Sequence, residues 1–362
     1  MVVNRKNCFR VMPFNFITSS MQLFNGIFFH GVGASSAALC YTPEKKVKGW
    51  SWQTYWLAQA SVCWLLLPVI VALLSIPSLT AVLHEAPATA MRNSFLLGMA
   101  YGVGGTAFGV AIKYIGFSLT YAISVGLSCV LGTLLPPVMD GTIGEVTSGR
   151  GGGWIVTGVF LGVVGIAFCG LAGWLKEKKS NGLQPGFSLK KGLPLCLLAG
   201  VLSAFYGFAI NAGKPISDIA AKYGAGNFQV NVVYIFSNTG AFLTTLFYTV
   251  YLHNKNKTWG QYTNSVVKKG LSLNYLMALL TGVLWYGQFF FYGLGHIQLG
   301  RYQFSSWAIH MILLVFFSSL VGLVLKEWKG TTGSTKGMLA AALLVLLLAV
   351  IVLTYGNYLG GI

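Results

Sequence analysis

TGVLWYGQFFFYGLGHIQLGRYQFSSWAIH, residues 281–310, decides how the rest of the chain is read. The stretch is apolar enough to enter a bilayer, yet it carries Trp285, Gln288, Tyr292, His296, Arg301, Gln303, Ser306 and His310. On a helix, Thr281, Trp285, Gln288, Tyr292 and His296 share one face, and Gln303, Ser306 and His310 share a face of the next segment. Polar groups inside a membrane are costly, so they turn toward a bundle interior or a wet cavity. The pattern therefore predicts two striped helices joined by a Gly/Arg turn, forming one wall of a solute pathway. The plainer alternative is that these groups only hydrogen-bond neighbouring helices.

The whole chain has the same character. Of 362 residues, 55% are hydrophobic and 9% charged, against about 25% charged in a soluble protein. Apolar runs of the length a hydrocarbon core requires recur throughout, so the fold class is an all-α polytopic membrane protein. The net charge of +17 is not a nucleic-acid signal, because Lys and Arg fall in short runs between apolar segments. Six scattered cysteines without a C-x-x-C spacing read as packing residues, with no disulfide framework and no metal site.

About ten transmembrane helices are expected, near 21–42, 54–76, 93–112, 117–138, 153–175, 193–213, 228–252, 273–295, 303–325 and 337–359. Residues 1–20 read as an N-terminal extension, with Met21 a candidate true start. Residues 176–192 (KEKKSNGLQPGFSLKKG) form a polar linker between a first repeat, 21–175, and a second, 193–362. Two echoes support duplication. Gly33-x-x-Ser36-Ala37 matches Gly200-x-x-Ser203-Ala204, and Gly109-x6-Gly116 matches Gly293-x6-Gly300. Five helices per repeat force the halves to be inverted. Loops after odd-numbered helices carry sixteen Lys and Arg and the other loops five, with three more before Met21. That bias puts the odd loops in the cytoplasm and both termini outside.

Catalytic signatures are missing. There is no G-x-S-x-G, no Walker A and no His-Glu-x-x-His, and Glu44, Asp140, Glu145, Glu177 and Glu327 fall at loop edges. The chain reads as a non-enzyme without cofactors that binds and moves a solute. Candidate binding residues are Trp285, Gln288, Tyr292, Asn211, Tyr234, Asn238 and Gln303. Amides and hydroxyls pair with OH groups and aromatic rings cover an apolar face, which suits a neutral polyhydroxylated ligand. His30, His296 and His310 are candidate proton carriers, since an imidazole changes charge near pH ~6.5. The alternative for each is one structural hydrogen bond. Lys214 and Asp218 are candidate gate residues, or else a solvated pair in a loop at the mouth.

Six stretches carry a family resemblance: GIFFHGVGASSAA at 26–38, KKVKGWSW at 45–52, FSLKKGL at 187–193, AINAGKP at 209–215, WYGQFFFYGLGH at 285–296 and VGLVLKEW at 321–328. The chain closely resembles the bacterial L-rhamnose–proton symporter family, a branch of the drug/metabolite transporter superfamily. The likeness runs from about residue 21 to the C-terminus and leaves residues 1–20 outside it. It implies ten transmembrane helices, a bacterial inner-membrane location, and uptake of L-rhamnose or a related 6-deoxy sugar with a proton. Some members of the superfamily keep both termini in the cytoplasm, the reverse of the charge count. The resemblance carries over His30, Asn211, Lys214, Trp285, Gln288, His296 and His310 as candidate positions, without dividing them between sugar and proton. Expected partners are the sugar, protons and membrane lipid, with no nucleic acid and with the chain acting as a monomer. Competing readings are an exporter or exchanger of another small metabolite and a membrane sugar sensor that does not transport.

Overall fold

A computed structural model describes residues 12–139, 141–181, 188–263, 270–326 and 328–361. The first eleven residues of the extension, residues 182–187 of the linker, Asp140, Lys268, Lys269 and Glu327 lie outside the described residues. The described residues contain ten helices long and apolar enough to cross a membrane. They are α1 (Met12–Leu39), α2 (Trp52–Ser75), α3 (Ala88–Ile115), α4 (Phe117–Met139), α5 (Gly152–Asn181), α6 (Leu189–Ala212), α7 (Asn231–Asn256), α8 (Leu271–Gln298), α9 (Ser306–Val324) and α10 (Gly333–Gly361). The shortest, α9, has 19 residues; at about 1.5 Å per residue that just spans a hydrocarbon core of about 30 Å.

Several boundaries differ from the sequence expectation for local reasons. The loop expected over 77–92 holds a short helix, Leu79–Glu85, and α3 starts directly after Pro87, a residue suited to helix starts. Lys214–Lys222 is a helix and not a loop, with Pro215 in its first turn, where the missing N–H costs nothing. A 3-10 turn, Gly300–Ser305, precedes α9, and Gly300 takes the left-handed φ of +55° that its lack of Cβ permits. Within α2 the run Ser61–Leu66 is a π-turn ahead of Pro68, whose missing N–H breaks the ordinary ladder there.

Packing follows a regular pattern. Helix α1 lies against α8 and α9, while α6 lies against α3 and α4. Helix α7 meets α3, and α2 meets α8; α4 meets α5, and α9 meets α10. The pairs α5–α10, α2–α7 and α4–α9 are also in contact. Small residues bring backbones together: a Cβ on Gly98 would stand 2.0 Å from the Ser237 carbonyl oxygen, so α3 reaches α7 only with glycine there.

Chain direction alternates along the bundle. The termini and the loops after even-numbered helices share one face, here the terminal face. The loops after odd-numbered helices, rich in lysine, form the basic face. On the basic face the start of α2 is tied to the loop after α7. Gln261 Oε1 accepts from the Ser51 amide (2.7 Å), the Ser51 hydroxyl (2.9 Å) and the Thr54 hydroxyl (2.7 Å). Trp50 Nε1 donates to the Gln261 carbonyl at 2.8 Å.

Candidate functional site

Three cavities follow one another between the two faces. The central one encloses about 100 Å³ among α1, α3, α4, α6, α8 and α9. Those on the basic and terminal faces enclose about 540 and 580 Å³. The centre is therefore the narrow part of the route. Tyr41, Phe108 and Tyr121 border both the central cavity and that of the basic face. Tyr292 and Trp307 border both the central cavity and that of the terminal face. Each end of the centre is thus closed by an aromatic partition. Phe108 meets Tyr121 edge-on at 5.5 Å, and Tyr292 meets Trp307 edge-on at 5.7 Å.

Trp285, Gln288, Tyr292 and His310 face the central cavity, joined by Tyr101, Ser128 and Ser203. The Trp285 indole N–H is buried without a hydrogen-bond partner of ordinary geometry, and Tyr101 shares the cavity with it. Tyr206, fully buried, backs the cavity wall by packing on Tyr101 and Phe289, both at 4.6 Å. His296, Asn211 and Gln303 face the terminal-face cavity instead, beside Glu145 and Arg150.

Tyr234 and Asn238 line none of these cavities. The Tyr234 hydroxyl donates to the Phe289 carbonyl at 2.6 Å, and Asn238 Oδ1 accepts from the Tyr206 hydroxyl at 2.6 Å. Both tie α7 to its neighbours, because a buried hydroxyl or amide finds the nearest partner. Lys214 and Asp218 are joined at 2.7 Å, about half exposed, one turn apart on the short helix Lys214–Lys222. Opening that bond separates no two helices, so the pair cannot latch a gate by itself.

The histidines converge. His30 on α1 and His310 on α9 have ring centres 5.7 Å apart, and Tyr292 on α8 lies 5.2 Å from His30, 5.3 Å from His310 and 5.6 Å from His296. Ser306 Oγ is 2.9 Å from His30 Nε2. The Nδ1 atoms of all three imidazoles are buried without hydrogen-bond partners. Two glycines make the room: a Cβ on Gly295 would stand 2.9 and 3.0 Å from His30 ring atoms, and one on Gly33 3.3 Å from the His310 ring. Among the described residues, no group of three or more His, Cys, Asp or Glu is placed to hold a metal ion.

Reading the sequence missed Trp307 and Phe108, which look like ordinary apolar residues of a buried face. One signal was present: Phe108 immediately precedes Gly109 and Tyr292 immediately precedes Gly293, at the start of each matching glycine spacing.

Ten apolar helices around a row of internal cavities define a polytopic α-helical membrane protein with a solute route through its middle. The model of the L-rhamnose-proton symport protein (RhaT) family matches residues 19–358, and the chain belongs to that family. Relatives named L-rhamnose-proton symporter occur in Mannheimia succiniciproducens (36% identical), Cronobacter sakazakii (35%) and Enterobacter sp. strain 638 (34%). Each aligns over 327 residues, covering 90% of this chain and 95% of the relative. The protein is a multi-pass component of the bacterial inner membrane.

Proposed function

We propose that this chain takes up L-rhamnose, or a related 6-deoxy sugar, together with a proton by alternating access, as a monomer and without catalysing a reaction. The observation that carries the reading is a small polar-and-aromatic cavity at the centre of the bundle, partitioned by aromatic pairs from a wider cavity on each face. Gln288, Ser128, Ser203 and the Trp285 N–H supply partners for sugar hydroxyls, and Tyr101 and Phe289 supply ring faces. Moving one partition at a time exposes the centre to one side and then the other.

The rocking units are the two halves, 21–175 and 193–362, with 176–192 as the connection. The packing pattern supports this, since exchanging α1–α5 with α6–α10 turns the pair α1–α8 into α6–α3, α1–α9 into α6–α4 and α4–α5 into α9–α10, all of which exist. Five helices per half make the halves inverted. The basic face, with most of the loop lysines, lies in the cytoplasm, and the termini lie outside.

The test is uptake of labelled L-rhamnose into energised vesicles, with external pH recorded and a protonophore control. Sugar-dependent alkalinisation and protonophore-sensitive accumulation are expected. Uptake that follows sodium removes the proton from the reading; binding without flux makes the chain a sensor; and proton-linked efflux makes it an exporter.

A further inference from the structure

His30, His296 and His310 reach Tyr292 from three directions, and the space they share lies on the partition between the central and terminal-face cavities. His310 faces the first cavity, His296 the second, and Tyr292 both. His30 faces neither and is fully buried, held by Ser306. All three present an Nδ1 that no protein group satisfies. Among the described residues no carboxylate lines the central cavity. The charges nearest the cluster are at its outer edge: Glu145 and Arg150 in the terminal-face cavity, and Lys214, which is paired with Asp218. The remaining histidines are elsewhere. His84 is exposed, and His253 is engaged by Thr258 at 2.7 Å and Tyr262 at 3.1 Å in the basic-face loop.

We propose that these three imidazoles form a single site for one proton, so that one proton moves per sugar. A proton leaves hydronium in the terminal-face cavity for the lone pair of an imidazole nitrogen, releasing water. On the other side the imidazolium returns it to water. A second proton is refused by electrostatics. For His30 and His310, whose rings are 5.7 Å apart, two unit charges at an effective dielectric constant of about 20 disfavour double occupancy on the order of a hundredfold. Among the described residues, no carboxylate lines the central cavity to offset that repulsion. The cluster holds the proton where either adjoining cavity can exchange it, so the partition that admits the sugar also carries the charge. This rests on the proton–sugar symport proposed above.

The test measures the charge-to-sugar ratio of the full chain in proteoliposomes. With equal pH on both sides and a tenfold L-rhamnose gradient, a potassium–valinomycin clamp sets the membrane potential, and the potential of zero net sugar flux is recorded. One proton per sugar predicts balance at about 59 mV, and two predict about 30 mV; the second result overturns the single-proton site. The triple variant H30Q/H296Q/H310Q should equilibrate sugar with no dependence on potential, whereas H84Q should still balance at the wild-type value. A triple variant that also balances there places the proton elsewhere and overturns the proposal. A wild-type protein whose sugar flux ignores potential and pH refutes symport itself, a result distinct from balance at 30 mV. The wild-type ratio decides the count even if the triple variant does not fold.

Discussion

Gly295→Ala tests whether the histidine cluster is a built feature of the α1–α8 contact. The added methyl would meet the Gly26 carbonyl oxygen at 2.8 Å and the His30 ring at 2.9 and 3.0 Å. Backbone cannot yield as a flexible side chain does, so overpacking costs about 1–3 kcal/mol. Displacing His30 also breaks its contact with Ser306, worth about 1 kcal/mol. Replacing a helical glycine returns about 1 kcal/mol of propensity. The net expectation is a loss of about 1–3 kcal/mol, with weakened proton coupling. Gly31→Ala on α1 is the internal control. Its methyl would find only Phe317, at 4.0 Å, so the propensity gain of up to about 1 kcal/mol stands alone. The assay is thermal unfolding of the detergent-purified protein alongside protonophore-sensitive L-rhamnose uptake. A Gly295→Ala protein as stable as Gly31→Ala, with accumulation intact, would refute this account of the contact.

Other substitutions separate the roles of neighbouring side chains. His310→Gln should abolish accumulation while sugar exchange persists, read by comparing energised uptake with counterflow; normal accumulation would exclude His310 from coupling. Gln288→Leu removes a cavity partner for sugar hydroxyls and should weaken apparent affinity about tenfold, the equivalent of roughly 1.4 kcal/mol; an unchanged half-saturation concentration argues against contact. Gln261→Leu leaves three donors at the start of α2 without their acceptor and should speed hydrogen exchange over residues 50–54, with a loss of about 1–3 kcal/mol. Lys214→Met should leave uptake within about twofold, because an exposed pair one helical turn apart contributes only about 0.3–0.5 kcal/mol; a large effect would restore it as a gate.

The ten helices were legible because hydropathy and length are properties of each segment alone. The stripe Trp285, Gln288, Tyr292 was legible for the same reason: a polar residue in an apolar run has few places to go. Tyr234 and Asn238 obey that rule as fully as Gln288 does, yet they turn to Phe289 and Tyr206. Helical periodicity gives the face of a residue but not which neighbour stands opposite, and that distinction separates a cavity wall from an interhelical tie. Phe108 and Trp307 were hidden for the opposite reason. An aromatic residue that bars a route has the same composition as one that fills a core.

The two partitions are alike in ring geometry. The shared glycine spacing sets Phe108 of α3 against Tyr292 of α8, and their ring partners Tyr121 and Trp307 lie on α4 and α9, two residues out of the register of that spacing. The resulting ring pairs lie at interplanar angles of 73° and 75°. Chemistry then breaks the likeness. At the terminal-face partition His30, His296 and His310 gather around Tyr292, whereas at the basic-face partition Tyr41 stands beside Phe108 and Tyr121, and no histidine among the described residues lines that cavity. Two like barriers suffice to let a solute cross in either direction, but they give no preference between them. Placing the histidines at one barrier would make its free energy respond to a proton bound there. That asymmetry is what would turn a passive carrier into a proton-driven one.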